Sequence, residues 1–222
     1  MSFHALISSP LGAVLLRADS AGLAGLYFAD QADCPRVSGL ERPAAPAGRP
    51  ADGMHEGQRL QSFRVLEPGQ ARQSGAHCAH GMALPVSSGV RLIEAEDTVP
   101  QPVLGLFRQA EKELGEYWAG QRRSFDLPLA AQGTGFQKKI WEALLAVPYG
   151  STLSYGELAR RAGFSARHGR ATGAAVGSNP ISIIIPCHRI LASNRTLNGY
   201  GGGLERKLRL LQLEGLPVRA PG

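Results

Sequence analysis

Pro186-Cys187-His188-Arg189 sets a thiol beside an imidazole at the end of the apolar run Ile181-Ser182-Ile183-Ile184-Ile185. A cysteine reacts as its thiolate, and at an ordinary pKa of ~8.5 only a few per cent is ionised at neutral pH. A nucleophilic Cys187 therefore needs a base, and His188 is the nearest candidate, directly or through one water. Neighbours on a strand point to opposite faces, so a turn at Pro186 must redirect the pair before they can couple. The imidazole in turn needs an orienting group. Glu214 is a candidate: it falls in the last turn of a helix predicted over 204–214, where a carboxylate opposes the helix dipole at a cost of ~0.3 to 1 kcal/mol. A hydrogen bond to His188 would offset that cost, although an exposed glutamate at such a place is common. Between the two lies Asn198-Gly199-Tyr200-Gly201-Gly202-Gly203, either a flexible hairpin or a backbone stripped of side chains so that its NH groups can approach a ligand.

The short, Ile-rich run ended by proline predicts a buried strand that presents Cys187 at its terminus. Ahead of it, Ser154-Tyr155-Gly156-Glu157 is a capping-box pattern that opens a short helix through Arg161. A turn containing Gly163 then leads to a small-residue helix around Arg170 to Ser178. Two short helices across a turn, the second starting with basic residues, have the helix-turn-helix layout, although two packing helices with solvated arginines share it. A second capping box, Thr134 with Gln137, opens a helix whose Phe136, Ile140, Trp141, Leu144 and Leu145 form the buried face, ended by Pro148-Tyr149-Gly150. In the helix predicted over 204–214, Leu204, Leu208 and Leu211 fall in register, and Gly215 and Pro217 stop it.

Farther toward the N-terminus, residues 3–29 alternate turn signals with short apolar runs, as an antiparallel meander does. Val103 to Trp118 has helical periodicity, with Leu106, Phe107, Leu114, Tyr117 and Trp118 on one face. Between them, residues 30–89 turn to Pro, Gly, Ala, Arg, Gln and Ser without sustained periodicity, which reads as a poorly ordered insertion. That stretch carries His55 and His77-Cys78-Ala79-His80, which lack the paired spacing of strong zinc motifs, so no metal site is expected there. The domain boundary is expected near residue 130.

The chain has 222 residues, 43% of them hydrophobic, enough for one medium domain or two small ones. No segment approaches the roughly 18 consecutive apolar residues of a membrane helix. Met1-Ser2-Phe3-His4 lacks the layout of a signal peptide, so a cytoplasmic protein is expected. Cys34, Cys78 and Cys187 are an odd set without regular spacing, which favours reduced thiols over a disulfide framework. The net charge of +6 is concentrated from Ala131 onward, where Lys138, Lys139, Arg160, Arg161, Arg167 and Arg170 contribute and acidic residues are few. Such an excess favours a polyanionic partner.

Pro-Cys-His-Arg after an Ile-rich run, preceded by Arg170-Ala171-Thr172-Gly173 and Gly177-Ser178-Asn179-Pro180 and followed by Gly199-Tyr200-Gly201-Gly202-Gly203-Leu204-Glu205-Arg206-Lys207, resembles the O6-alkylguanine-DNA alkyltransferase family. The resemblance runs from about Thr134 to Gly215. It implies an α+β, mainly α fold: a small ribonuclease-H-like N-terminal α/β domain over residues 1–130, with the insertion at about 30–89, and a helical DNA-binding and alkyl-acceptor domain with a helix-turn-helix over 131–222. It implies that Cys187 accepts an alkyl group from O6-alkylguanine in double-stranded DNA, that His188 and Glu214 relay its proton, and that Asn179 braces the recognition helix against the active site. Arg170 would fill the gap left by the flipped nucleotide, and Tyr155 would help rotate it out and hydrogen-bond the base. Tyr200 would wall the base pocket and the Gly201 NH would donate to the alkylated oxygen. The carbonyls of Cys187 and Ile190 would accept from the exocyclic amine, and Lys207 matches the lysine at the start of the last helix.

The same resemblance implies no cofactor, a monomer, and a single turnover, since nothing in the chain offers a way to cleave the thioether. Three differences from the family pattern concern DNA docking: one extra residue between Tyr155 and Arg170, Thr172 for a usual valine, and Asn194-Arg195 where an Asn/Asp-Gly turn is usual. The alternatives are a lesion sensor that does not repair, in whose relatives the cysteine is replaced, a sequence-specific regulator, and a Cys-His hydrolase. The hydrolase leaves the basic C-terminal part unexplained.

Overall fold

A computed structural model describes residues 1–37, 64–65, 89–93 and 96–219. In chain order its elements are β1 (Phe3–Ile7), β2 (Val14–Asp19), β3 (Gly22–Phe28), β4 (Arg64–Val65), β5 (Arg91–Leu92), α1 (Gln101–Trp118), α2 (Gly135–Leu145), β6 (Leu153–Ser154), α3 (Tyr155–Arg161), α4 (Gly169–Gly177), β7 (Ile190–Leu191), α5 (Leu204–Leu213) and β8 (Val218–Arg219). The described residues of 1–45, 83–132 and 180–184 form one compact unit, and those of 46–82, 133–179 and 185–222 form another. His55, His77, Cys78 and His80 lie outside the described residues, as does most of the segment read as an insertion. Arg64–Val65, inside that segment, pairs antiparallel with β8.

The first unit is a four-stranded antiparallel sheet in the order β3-β2-β1-β5, with α1 packed across β1, β2 and β3. Alternation of apolar residues along β1 gives one buried face, whereas every residue of β3 is buried. Beyond β3 the sheet does not end in open hydrogen-bonding groups. Leu23 N donates to Pro128 O and Ala130 N to Leu23 O, both at 2.8 Å, while Leu26 N donates to Pro180 O (2.8 Å) and Ser182 N to Leu26 O (3.1 Å). Two short segments therefore cover an edge that would otherwise invite another strand. The approach is close enough to require glycine at position 22, where φ is +142° and a Cβ would lie 2.4 Å from Pro128 O. Helix α1 buries Leu106, Phe107, Leu114, Tyr117 and Trp118, the face expected from its periodicity.

The second unit is helical. The capping box Thr134/Gln137 opens α2 and Ser154/Glu157 opens α3, each with both reciprocal hydrogen bonds formed. Trp141 on α2 donates from Nε1 to Ala175 O at 2.8 Å, tying α2 to α4. Ile140, Trp141 and Leu144 are buried as expected, but Leu145 is 49% exposed and the half-buried Phe136 instead packs its ring on Phe164, 4.7 Å between centroids. Between α3 and α4 the chain forms a 3-10 turn, Ala166–His168, capped by Ser165. Near the C-terminus Val65, Leu191, Leu197, Leu208, Leu211 and Leu216 form an apolar cluster under α5. Arg195 takes φ +63°, the left-handed conformation for which glycine is the usual residue, and its guanidinium donates to Thr152 Oγ1 at 2.9 Å.

The segment Ile181–Ile185 is not the strand expected of it. Only Ile181 makes a ladder contact, with Leu26, and the chain then reverses. Ile184 N donates to Ser182 O (2.9 Å) around Ile183, which stands at φ +72°, and Cys187 N donates to Ile185 O (2.8 Å) around Pro186 at φ −81°, ψ 63°. The second is an inverse γ-turn; the first is of the rare, positive-φ kind. A β-branched residue in that region is strained by about 1 to 3 kcal/mol, and its isoleucine side chain is 1% exposed, so burial of the side chain opposes the backbone strain.

Candidate active site

Those two turns deliver Cys187 onto a 3-10 turn, Cys187–Arg189, rather than onto a strand end. Successive side chains on such a turn diverge by about 120° rather than pointing to opposite faces, and they form no direct hydrogen bond: Nδ1 of His188 has no partner among the described residues. The thiol is nearly buried, 6% exposed. Asn179, just past the end of α4, donates from Nδ2 to Cys187 Sγ at 3.1 Å and to Ile185 O at 2.8 Å. Its amide thus fixes the reverse turn and offers a hydrogen bond to the sulfur, which strengthens as the sulfur becomes anionic.

Cys187 lines a cleft together with Tyr155, Gly173, Val176, Gly177, Gly199, Tyr200 and Gly201. Half of these are glycines, so the wall is largely backbone and can come close to a flat ligand. Gly173 and Gly177 lie one turn apart on α4 and present the same face. Tyr155, at the start of α3, donates from its hydroxyl to Asn198 O at 3.3 Å; burial first, and then the Cys187 charge, raise its pKa.

On the inner side, His188 is fully buried and its Nε2 is 2.8 Å from Glu214 Oε1. Glu214 caps α5 and is also gripped by Arg189, whose Nε lies 2.9 Å from Oε2 and Nη2 2.9 Å from Oε1, and Gly150 N donates to Oε2 at 3.1 Å. Burial alone would raise the Glu214 pKa; its partners His188 and Arg189 outweigh that and hold the carboxyl at about 2. Burial lowers the His188 pKa, Glu214 opposes the fall, and Arg189 and Lys207 add to it, so the imidazole is neutral at pH 7. A neutral imidazole facing a carboxylate carries its hydrogen on Nε2. Nδ1 then holds the lone pair, and it has no hydrogen-bond partner among the described residues.

Lys207, on the first turns of α5, is also fully buried. Its ammonium donates to Ile190 O, to Asn198 O (2.6 Å) and to Gly199 O (3.2 Å). Burial lowers its pKa from 10.5 to about 8, while the Cys187 charge acts to raise it.

The cleft thus gathers Cys187, Tyr155, Tyr200 and Gly201 from the residues singled out in the sequence, with Asn179, His188 and Glu214 behind the thiol. Lys207 is not in the lining; it ties the loop 198–199 to Ile190 from beneath. Arg170 is exposed on the first turn of α4 and also stands outside the lining. Sequence reasoning assigns no role to Arg189, although it belongs to the same tetrapeptide, because its carboxylate partner is 25 residues away.

A buried thiol with an amide donor, a neutral imidazole held by a carboxylate, and a backbone-lined cleft in front is the equipment of a protein that uses cysteine as a nucleophile. Residues 135–216 match the model of the 6-O-methylguanine DNA methyltransferase DNA-binding domain. Methylated-DNA–protein-cysteine methyltransferase of Methanosarcina acetivorans is 50% identical over 109 residues, 49% of this chain and 69% of that protein. The crystal structure of Mycobacterium tuberculosis O6-methylguanine methyltransferase superposes with a TM-score of 0.61 at 31% identity, covering 97% of this chain and 93% of that one. A structure of M. tuberculosis OGT in complex with DNA gives 0.60 at 30% identity over 95% and 91%. The chain belongs to the methylated-DNA–protein-cysteine methyltransferase family.

Proposed function

We propose that this protein repairs DNA by direct reversal, moving the alkyl group of O6-alkylguanine to Sγ of Cys187, once per molecule. The observation that carries the proposal is that Cys187 lines the glycine-rich cleft, with Asn179 as donor to its sulfur and the adjacent His188 paired with Glu214. Attack by the thiolate on the alkyl carbon forms the S–C bond and breaks the C–O6 bond, whose electron pair leaves with the guanine. The thiol proton passes through one water to Nδ1 of His188, and the guanine anion left by the cleavage takes up a proton as the base is released. The product is a thioether, with no group in the cleft able to displace it, so each molecule acts once.

An alkyl carbon inside a duplex cannot be reached in line by a side chain, so the base must leave the stack at a cost of a few kcal/mol. We read α3 and α4 as a helix-turn-helix whose small residues Gly169, Ala171 and Gly173 let it lie close to DNA, with Arg170 filling the gap in the stack. Tyr155 and Tyr200 then bound the extruded base, and the Gly201 NH and the carbonyls of Cys187 and Ile190 meet its edge. The Ile190 carbonyl already accepts from Lys207, so Lys207 acts there by fixing an acceptor. Residues 131–222 would carry DNA binding and chemistry, and 1–130 a ribonuclease-H-like support, in a cytoplasmic monomer that needs no cofactor. The M. tuberculosis relative solved with DNA supports a DNA partner. No helix among the described residues is long and apolar enough to cross a membrane.

Intact mass before and after incubation with duplex DNA containing O6-methylguanine tests this. One methyl group should appear on the peptide containing Cys187, with product never exceeding the moles of protein. Multiple turnovers, or methylation of another residue, would overturn it. Arg170→Ala should slow repair in duplex DNA more than reaction with free O6-benzylguanine; equal losses would refute the gap-filling role.

A further inference from the structure

We infer that Arg189 is a positioning residue of the alkyl transfer: by serving as the counter-cation of Glu214 it leaves His188 uncharged, with its hydrogen on Nε2 and its lone pair on Nδ1 free to take the proton of Cys187 through one water. The inference rests on the function proposed above. Its starting point is that the Glu214 carboxylate is buried between two groups able to carry the balancing positive charge. A buried carboxylate is tolerable only when its charge is matched and its lone pairs are filled. Arg189 does both, through Nε and Nη2, while its Nη1 donates to Val147 O at 2.6 Å and its guanidinium lies 5.8 Å from the centre of the Tyr149 ring. The segment 147–150 is built around this pair, since Gly150 N also donates to Glu214 and the Tyr149 hydroxyl to Leu213 O.

With Arg189 in place the cluster Glu214, Arg189 and His188 balances with a neutral imidazole. Remove the guanidinium, and the buried carboxylate needs a proton in its place; of the two groups paired at 2.8 Å the imidazole, ordinarily the more basic by about two pH units, takes it. Nδ1 then carries a hydrogen and cannot act as a base. The charged groups that face His188 are Glu214, Arg189 and Lys207; of the two cations, Arg189 is the one that touches the carboxylate. Arginine suits the task because it stays protonated across the working range and its planar fork matches both carboxylate oxygens.

The test joins pH–rate profiles of methyl transfer with 15N NMR of the His188 ring in the full-length protein. In the wild type His188 should be the neutral Nε2–H tautomer at pH 7. In Arg189→Met it should be doubly protonated, and the acid limb of the rate should move up by at least one pH unit, a loss of about tenfold or more at pH 6 that disappears at high pH. Arg189→Lys, which keeps the charge without the fork, should move it less and serves as the test if Arg189→Met does not fold. The double variant Arg189→Met/Glu214→Gln removes the anion as well, and should return both the neutral imidazole and the wild-type position of the acid limb, though not the full rate. A loss in Arg189→Met that is independent of pH, with His188 still neutral, would overturn the inference and leave Arg189 a packing residue. Failure of the wild type to accept any methyl group would overturn the reaction itself, and the inference with it.

Discussion

Replacing Lys207 by methionine separates the electrostatics of the buried ammonium from the packing of its stem. The side chain is fully buried, and its Nζ donates to the carbonyls of Ile190, Asn198 and Gly199. Hydrogen bonds to a charged group contribute roughly 1.5 to 3 kcal/mol each. Against them stands the desolvation that lowers its pKa from 10.5 to about 8, worth about 3 kcal/mol at ~1.36 kcal/mol per unit. The balance makes Lys207→Met about 1.5 to 6 kcal/mol less stable at pH 7. The sign of the pH dependence follows from the depressed folded pKa. Below pH 8 both states hold the proton; between about 8 and 10.5 the folded state releases it first, so the unfolded state binds more protons and stability rises with pH. The wild type should therefore gain up to about 3 kcal/mol over that window relative to Lys207→Met. In urea, with a slope of roughly 2 to 3 kcal/mol/M, the gap between their midpoints widens by about 1 M. Trp141, in the same unit, reports the transition by fluorescence. Midpoints that stay a constant distance apart from pH 7.5 to 10.5 would show that the ammonium titrates normally, and would refute the account of it as a desolvated clamp.

Glu214→Gln should flatten the acid side of the stability curve: the carboxyl held at about 2 against an ordinary 4.5 stabilises the fold above pH 4.5 by about 3 kcal/mol, and that is lost as pH falls toward 2. Urea titrations at pH 7, 4 and 3 check it, and identical slopes for the two proteins would contradict it. Thr172→Val should stabilise, because Thr172 is fully buried and its hydroxyl has no partner among the described residues. About 1 kcal/mol, or 2 to 4 °C in Tm, is expected in calorimetry, and a fall in Tm would show that the hydroxyl is bonded. Gly22→Ala forces a Cβ to within 2.4 Å of Pro128 O at φ +142°, and should cost about 2 kcal/mol or more, read at Trp118; an unchanged transition would mean that the 128–130 segment yields freely.

Features written within one turn of sequence were legible. Thr134 with Gln137 and Ser154 with Glu157 marked two helix starts, because a capping box needs only residues three apart. The face of α1 followed from its period. Ile181–Ile185 was misread since a β-branched run carries the same signal whether it forms a strand or is forced into γ-turns, and the turns depend on Asn179 Nδ2 reaching Ile185 O and on side-chain burial. Leu145 was placed inside because period alone cannot say how wide the buried face of α2 is. At the site, the suspicion attached to Glu214 came from its awkward place at a helix end, a local cue. Arg189 offered no such cue, since a lone arginine reads as solvated until its distant carboxylate is known.

The covering of the β3 edge has a consequence for how the chain is made. Its last rungs are supplied by Pro180 and Ser182, so a ribosome must have synthesised the chain as far as Ser182 before the sheet that begins at Phe3 is closed. Until then the backbone of Leu26 offers an unpaired NH and carbonyl to any passing strand. A fragment cut near residue 130, though it holds all four strands of the sheet, retains this open rim permanently, and is expected to associate through it where the intact chain does not.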